Sequence, residues 1–165
     1  MKSIDDADFT NSVKTVIGSL PGVTELYPHQ LELLNCLVNR KNVIMTSPSN
    51  SGKTLPALIL PRIFNELHSL GYEELPADRK VLFVTALNSL QMSMVSSTRA
   101  MKISCESVTS KNIDELLKSD VSILFIGPEV LHIPSVSSSL LKCRGRFILK
   151  VVDEVHLCKW FDVAH

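Results

Sequence analysis

No stretch of this 165-residue chain approaches the run of about twenty apolar residues that spans a bilayer. The amino terminus, Met1-Lys2-Ser3-Ile4-Asp5-Asp6, is acidic and lacks the apolar segment of a signal peptide. These absences predict a soluble, intracellular protein with no membrane partner. Net charge is absent as well: 17 Lys and Arg balance 17 Asp and Glu, so any contact with nucleic acid has to come from a local patch. The four cysteines, Cys36, Cys105, Cys143 and Cys158, include no C-x-x-C pair and have no histidine at finger spacing. That argues for reduced thiols and against a zinc site. Charged residues are sparse at 21% against 45% apolar, which argues against disorder, and no repeat or low-complexity tract occurs. The length fits one ordinary domain with a real core.

What is present centres on Val43-Ile44-Met45-Thr46-Ser47-Pro48-Ser49-Asn50-Ser51-Gly52-Lys53-Thr54. An apolar run, a small polar turn and a Gly-Lys-Thr at a helix start are what a phosphate-binding loop requires. Backbone N–H groups and the positive end of the helix then face the anion. Lys53 would reach the outer phosphates, the Thr54 hydroxyl would ligate Mg²⁺, and Gly52 would let the backbone approach. Ser47 stands where the first glycine of G-x-x-x-x-G-K-[ST] is expected; Asn50 compensates in part, because Asn tolerates positive φ. Taken alone, the same residues also fit a surface turn carrying a solvated lysine.

Apolar spacing predicts a helix from about Asp6 to Leu20, built on Phe9, Val13, Val16, Ile17 and Leu20 and ended by Pro21-Gly22. A second helix runs from Pro28 to about Asn39, with Leu31, Leu34, Cys36 and Leu37 as its apolar face and Gln30 near its start. Short apolar strands then alternate with helices. The strands expected are Val43–Met45, Val81–Thr85, Lys102–Cys105, Ile123–Ile126 and Phe147–Val152. The helices expected are Thr54–Leu70, made irregular by Pro56 and Pro61, then Leu87–Thr98, Ile113–Leu117 and Val136–Lys142. Gly71–Lys80 reads as a surface connection. This alternation predicts an α/β fold, a parallel sheet with helices on both faces and its ligand at the carboxyl ends of the strands.

The strand Phe147–Val152 runs into Asp153-Glu154-Val155-His156. Acidic residues at the end of a buried strand suit a Mg²⁺ site: Asp153 would hold the ion and Glu154 would polarise an attacking water. An acidic strand end before a turn is common by itself; its occurrence after a phosphate loop in one domain is not.

With those two motifs in order, the chain resembles the superfamily 2 helicases, and among them the RecQ-like DNA helicases. Its phosphate loop is similar to the family's M-P-T-G-G-G-K-S, and Asp153–His156 is similar to the D-E-A-H box. Tyr27-Pro28-His29-Gln30 resembles the F-R-x-x-Q segment, Val84–Leu90 resembles V-S-P-L-I-S-L, and Leu124–Leu131 resembles L-Y-V-T-P-E-R-L. Leu157-Cys158-Lys159-Trp160 resembles the start of the aromatic-rich loop after the box. The resemblance implies a P-loop NTPase, RecA-like lobe using ATP and Mg²⁺, and nuclear localisation in a eukaryote. It implies that Gln30 recognises adenine, that Ser47, Pro48, Ser49, Asn50, Ser51, Gly52 and Lys53 cradle the phosphates, and that Thr54 and Asp153 hold Mg²⁺. Glu154 would be the catalytic acid/base, and His156 would couple hydrolysis to nucleic-acid binding. Thr85, Ser89, Gly127 and Trp160 would touch one DNA strand, positioning it without reading its sequence. Without the resemblance, Gln30 and Ser89 read as exposed helix residues and Trp160 as a core aromatic.

The organisation expected is a helical segment over residues 1–24 and a partial, truncated ATP-binding domain over 25–165. The last strands of that domain and the whole second RecA-like lobe, with its arginine for the γ-phosphate, lie outside these residues. The function expected is the ATP-binding portion of a 3′-to-5′ DNA helicase, inactive as this piece alone. The alternatives are a D-E-x-H type RNA helicase lobe, a non-catalytic nucleotide- or nucleic-acid-binding module, and a small P-loop kinase. The last is disfavoured by the Glu that directly follows Asp153.

Overall fold

A computed structural model describes residues 4–46, 52–75, 79–85 and 88–153, apart from the side chains of Asn88 and Ser89. The chain packs as two units, Met1–Arg79 and Lys80–His165.

In the first unit, helix α1 (Asp6–Gly18) starts where the Asp5 carboxylate accepts the Ala7 N–H at 2.8 Å, with Asp6 and Asp8 in its first turn. Anionic side chains there oppose the positive end of the helix. Its buried stripe is Val13, Val16 and Ile17, followed by Leu20, as the spacing predicts. Helix α2 (Pro28–Val38) begins on a proline, whose missing N–H costs nothing in a first turn. Its inward face is Gln30, Leu34, Leu37 and Val38. The expected face therefore needs correcting: Leu31 is 37% exposed, and Gln30 points inward.

Helix α3 (Leu55–Ser69) packs against both α1 and α2. It runs unbroken through Pro61, against the irregularity expected there. Ile59, Leu60, Ile63 and Phe64 around that proline are all buried, and their burial outweighs the one backbone hydrogen bond that proline removes. The segment after α3 is also not the plain surface connection expected. Tyr72 and Leu75 are buried. The Tyr72 hydroxyl accepts the Asp5 N–H at 3.0 Å and donates to Asp8 Oδ2 at 2.7 Å, tying the amino end of α1 to the turn beyond α3. The Asp5 N–H lowers the phenol pKa, but the hydrogen bond to Asp8, burial and the two carboxylates together leave it raised above 10.0.

The strand expected over Val43–Met45 is not formed, and residues 41–46 carry no regular structure. Val43 is 41% and Ile44 96% exposed. A strand exists only through its ladder to a neighbour, and among the described residues this stretch has none.

The second unit contains a four-stranded sheet, β1 (Lys80–Val84), β2 (Cys105–Ser107), β3 (Ile123–Ile126) and β4 (Phe147–Val152), in the order β2-β3-β1-β4. Every pairing is parallel, with Phe83 opposite Phe125 and Val84 opposite Val152. Helices α4 (Asn88–Ala100), α5 (Ile113–Lys118), α6 (Pro128–Leu131) and α7 (Pro134–Lys142) and a short 3₁₀ turn (Arg144–Arg146) connect them.

Leu82, Val84, Leu124 and Ile126 face α5 and α7 in one core. On the other face Cys105, level with Ile123, donates its thiol to the Val95 carbonyl of α4. Both faces are thus covered, as an all-parallel sheet demands. Burial pushes the Cys105 thiol pKa up and Glu106 adds to this, against the opposing effect of Arg99; a raised pKa suits an inert core cysteine.

Two expectations differ here. Strand β2 starts at Cys105, three residues later than Lys102, because Lys102 adopts a left-handed φ of 58° that no strand accommodates. Lys80, expected at the surface, is 2% exposed. Its ammonium donates to the carbonyls of Ser119 and Val121, both at 2.6 Å, and so ties the start of β1 to the turn before β3.

Candidate nucleotide and nucleic-acid site

In the first unit the described part of the loop is Gly52-Lys53-Thr54, which leads directly into the 15-residue helix α3. Gly52 adopts φ +71°, a left-handed conformation that glycine takes without strain. Its carbonyl accepts the Leu55 N–H at 3.1 Å, and that of Thr54 accepts the Leu58 N–H at 3.2 Å. Lys53 and Thr54 are half-buried, and the Thr54 hydroxyl makes no capping bond to the helix. A short cationic turn feeding the positive end of a long helix is chemically fit to receive an anion. Ser47, Pro48, Ser49, Asn50 and Ser51 lie outside the described residues.

Gln30 joins this turn. Its Oε1 accepts the Tyr27 N–H at 2.9 Å and its Nε2 donates to the Gly52 carbonyl at 2.8 Å. The exposed rings of Tyr27 and His29 stack beside it, with centroids 5.7 Å apart and planes 9° from parallel.

In the second unit the parallel ladder brings three of the expected residues to the carboxyl ends of adjacent strands. The Thr85 N–H donates to Ile126 O at 3.0 Å, next to Gly127, and the Asp153 N–H donates to Val84 O at 3.0 Å, next to Thr85. Gly127, Thr85 and Asp153 therefore follow β3, β1 and β4 in spatial order. Asp153 is half-buried. Thr85 is 1% exposed, and its hydroxyl has no hydrogen-bond partner among the described residues. A buried hydroxyl without a partner is costly and marks a place where a ligand or water belongs. Ser89 lies in the first turn of α4, while Glu154, His156 and Trp160 fall outside the described residues.

Two neighbours escaped sequence reasoning. Gln91, buried on α4, donates its amide to Phe125 O at 3.1 Å and so anchors the helix to the end of β3. Glu129 folds its carboxylate back over Gly127, with Oε1 2.7 Å from where a Cβ on that glycine would sit. A glutamine inside an otherwise apolar helix face was the available signal for the first; nothing in the spacing signals the second.

Mg²⁺ takes one or two protein oxygens and completes its shell with phosphates and water. The Thr54 hydroxyl and the Asp153 carboxylate are donors of the required kind.

A family model described as DEAD/DEAH box helicase matches residues 27–161. The chain is similar to ATP-dependent DNA helicase Q1 of Rattus norvegicus, 26% identical over 166 residues that cover 94% of this chain and 25% of that protein. It is likewise 26% identical to ATP-dependent DNA helicase Q1 of Mus musculus over 164 residues, 93% of this chain and 24% of that one. It thus spans about a quarter of the length of these relatives. With the model match covering most of its length, the chain belongs to the DEAD/DEAH box helicase family.

Proposed function

We propose that the chain is the ATP-binding part of an ATP-dependent, RecQ-like DNA helicase that moves 3′ to 5′ along a strand. The observation that carries this reading is the turn Gly52-Lys53-Thr54 held at the start of α3 in a chain of the helicase family. Lys53 binds the β- and γ-phosphates as a point charge. Thr54 and Asp153 hold the Mg²⁺, which when bound neutralises charge developing on the phosphates. Glu154 activates the water, and His156 couples the cycle to the bound strand. Hydrolysis also requires a second RecA-like lobe with an arginine for the γ-phosphate, which these 165 residues do not encode, so the chain alone turns over ATP negligibly. DNA is favoured over RNA because both relatives above are DNA helicases by name.

The test is a titration of the chain with a fluorescent Mg²⁺–ATP analogue, and with single-stranded DNA and RNA of one sequence. Saturable binding displaced by ATP, with tighter DNA binding, supports the reading. Tighter RNA binding favours the D-E-x-H RNA helicase alternative, and nucleic-acid binding with no ATP-displaceable signal favours a non-catalytic module.

Thr85 supplies a prediction in which two readouts move in opposite directions. Thr85→Val keeps the shape and removes the unpaired buried hydroxyl, so the second unit gains about 1 kcal/mol in denaturant unfolding. The same change removes a donor for a strand phosphate and weakens binding of single-stranded DNA by roughly threefold to tenfold. Equal DNA affinity in the stabilised variant would remove Thr85 from the strand contact.

A further inference from the structure

Gln30 is buried to 2% exposure, and its amide bridges two segments 22 residues apart. One end holds the Tyr27 N–H that opens α2; the other holds the carbonyl of the residue before Lys53. The Gly52 carbonyl is shared, receiving the Leu55 N–H of α3 as well. Glycine is needed at position 52 on two counts. Its φ of +71° strains any residue with a Cβ, and a Cβ there would lie 2.4 Å from Gln30 Nε2. Side chain and backbone are therefore fitted to each other.

We infer that Gln30 is a positioning residue for the phosphate-binding lysine: its amide clamps Gly52 and fixes the direction in which Lys53 and Thr54 enter α3. The inference rests on the phosphate-binding reading of Gly52–Thr54 and is separate from adenine recognition. Pre-organising a charged donor before the ligand arrives raises affinity by removing an ordering cost at binding. A clamp of this kind acts through the phosphates and is blind to the base. A base-reading glutamine discriminates adenine from guanine and does nothing for a phosphate chain without a base.

Three ligands separate these roles: ATP, GTP and inorganic tripolyphosphate, each with Mg²⁺, titrated into the chain and its variants. Gln30→Glu keeps an acceptor for the Tyr27 N–H but sets a carboxylate oxygen against the Gly52 carbonyl; Gln30→Met removes both bonds at similar volume. The clamp predicts that both variants lose affinity for all three ligands alike, on the order of fivefold to tenfold. A loss confined to ATP, with tripolyphosphate unchanged, overturns it, as does no loss at all.

A second readout needs no ligand. In the clamped chain the Leu55 amide is protected by its bond to Gly52 O. Gln30→Glu is expected to speed its hydrogen exchange about tenfold while Ile63 and Phe64, deep in α3, keep their protection. Unchanged exchange at Leu55 overturns the clamp. Faster exchange in a chain that binds no triphosphate keeps the clamp's geometry and instead overturns the phosphate-binding reading on which its role rests.

Discussion

Lys53→Ala is expected to weaken binding of a Mg²⁺–ATP analogue by about thirtyfold to a hundredfold while leaving the unfolding transition unchanged. The size follows from losing a charge-assisted contact to phosphate, worth about 2–3 kcal/mol. The neutral effect on folding follows from the structure: Lys53 is half-buried, precedes α3 and contributes nothing to the apolar face that α3 presents to α1 and α2. Competition titration and a denaturant melt on the same samples check both halves. Lys53→Arg retains the charge but not the compact ammonium, and is expected to recover only part of the affinity. Undiminished binding by Lys53→Ala would leave the loop a surface turn and remove the basis of the proposed function.

Phe125→Ala is expected to cost about 3–5 kcal/mol in the second unit, a large share of the stability of any domain this size. Phe125 has no exposed surface, sits on the central strand pair and packs on Phe83 at a centroid distance of 5.4 Å. Truncation leaves a cavity between β3 and α4 that flanking groups cannot fill without releasing the Gln91 amide from the Phe125 carbonyl. Hydrogen exchange of the β1 and β3 amides and the denaturant midpoint measure it; a loss under about 1 kcal/mol would mean that this face is not the packed core described.

The parts of the fold legible from sequence were those in which local pattern and long-range environment agree. Helix α1, helix α3 and strands β3 and β4 appear within two residues of their expected bounds, because their apolar spacing is also their burial pattern. Val43–Met45 has strand composition but no ladder partner among the described residues, and composition cannot supply one. The start of β2 was hidden by the left-handed Lys102, since nothing marks a lysine as the residue that turns the chain. Helix α6 is only four residues long and the turn at Arg144–Arg146 only three, too short for any periodicity to register.

At the candidate site the motifs gave Gly52, Lys53, Thr54 and Asp153 their chemical identity. The inward turn of Gln30 and the carboxylate of Glu129 over Gly127 depend on contacts between distant or irregular segments, which no spacing encodes.

The buried ammonium of Lys80 has a practical consequence. Amine-acylating reagents reach surface lysines at once, but an ammonium sealed beneath the sheet and held by two carbonyls reacts only when the strand lifts away. Its labelling rate is therefore a built-in clock for opening of the sheet, readable by mass spectrometry of one peptide.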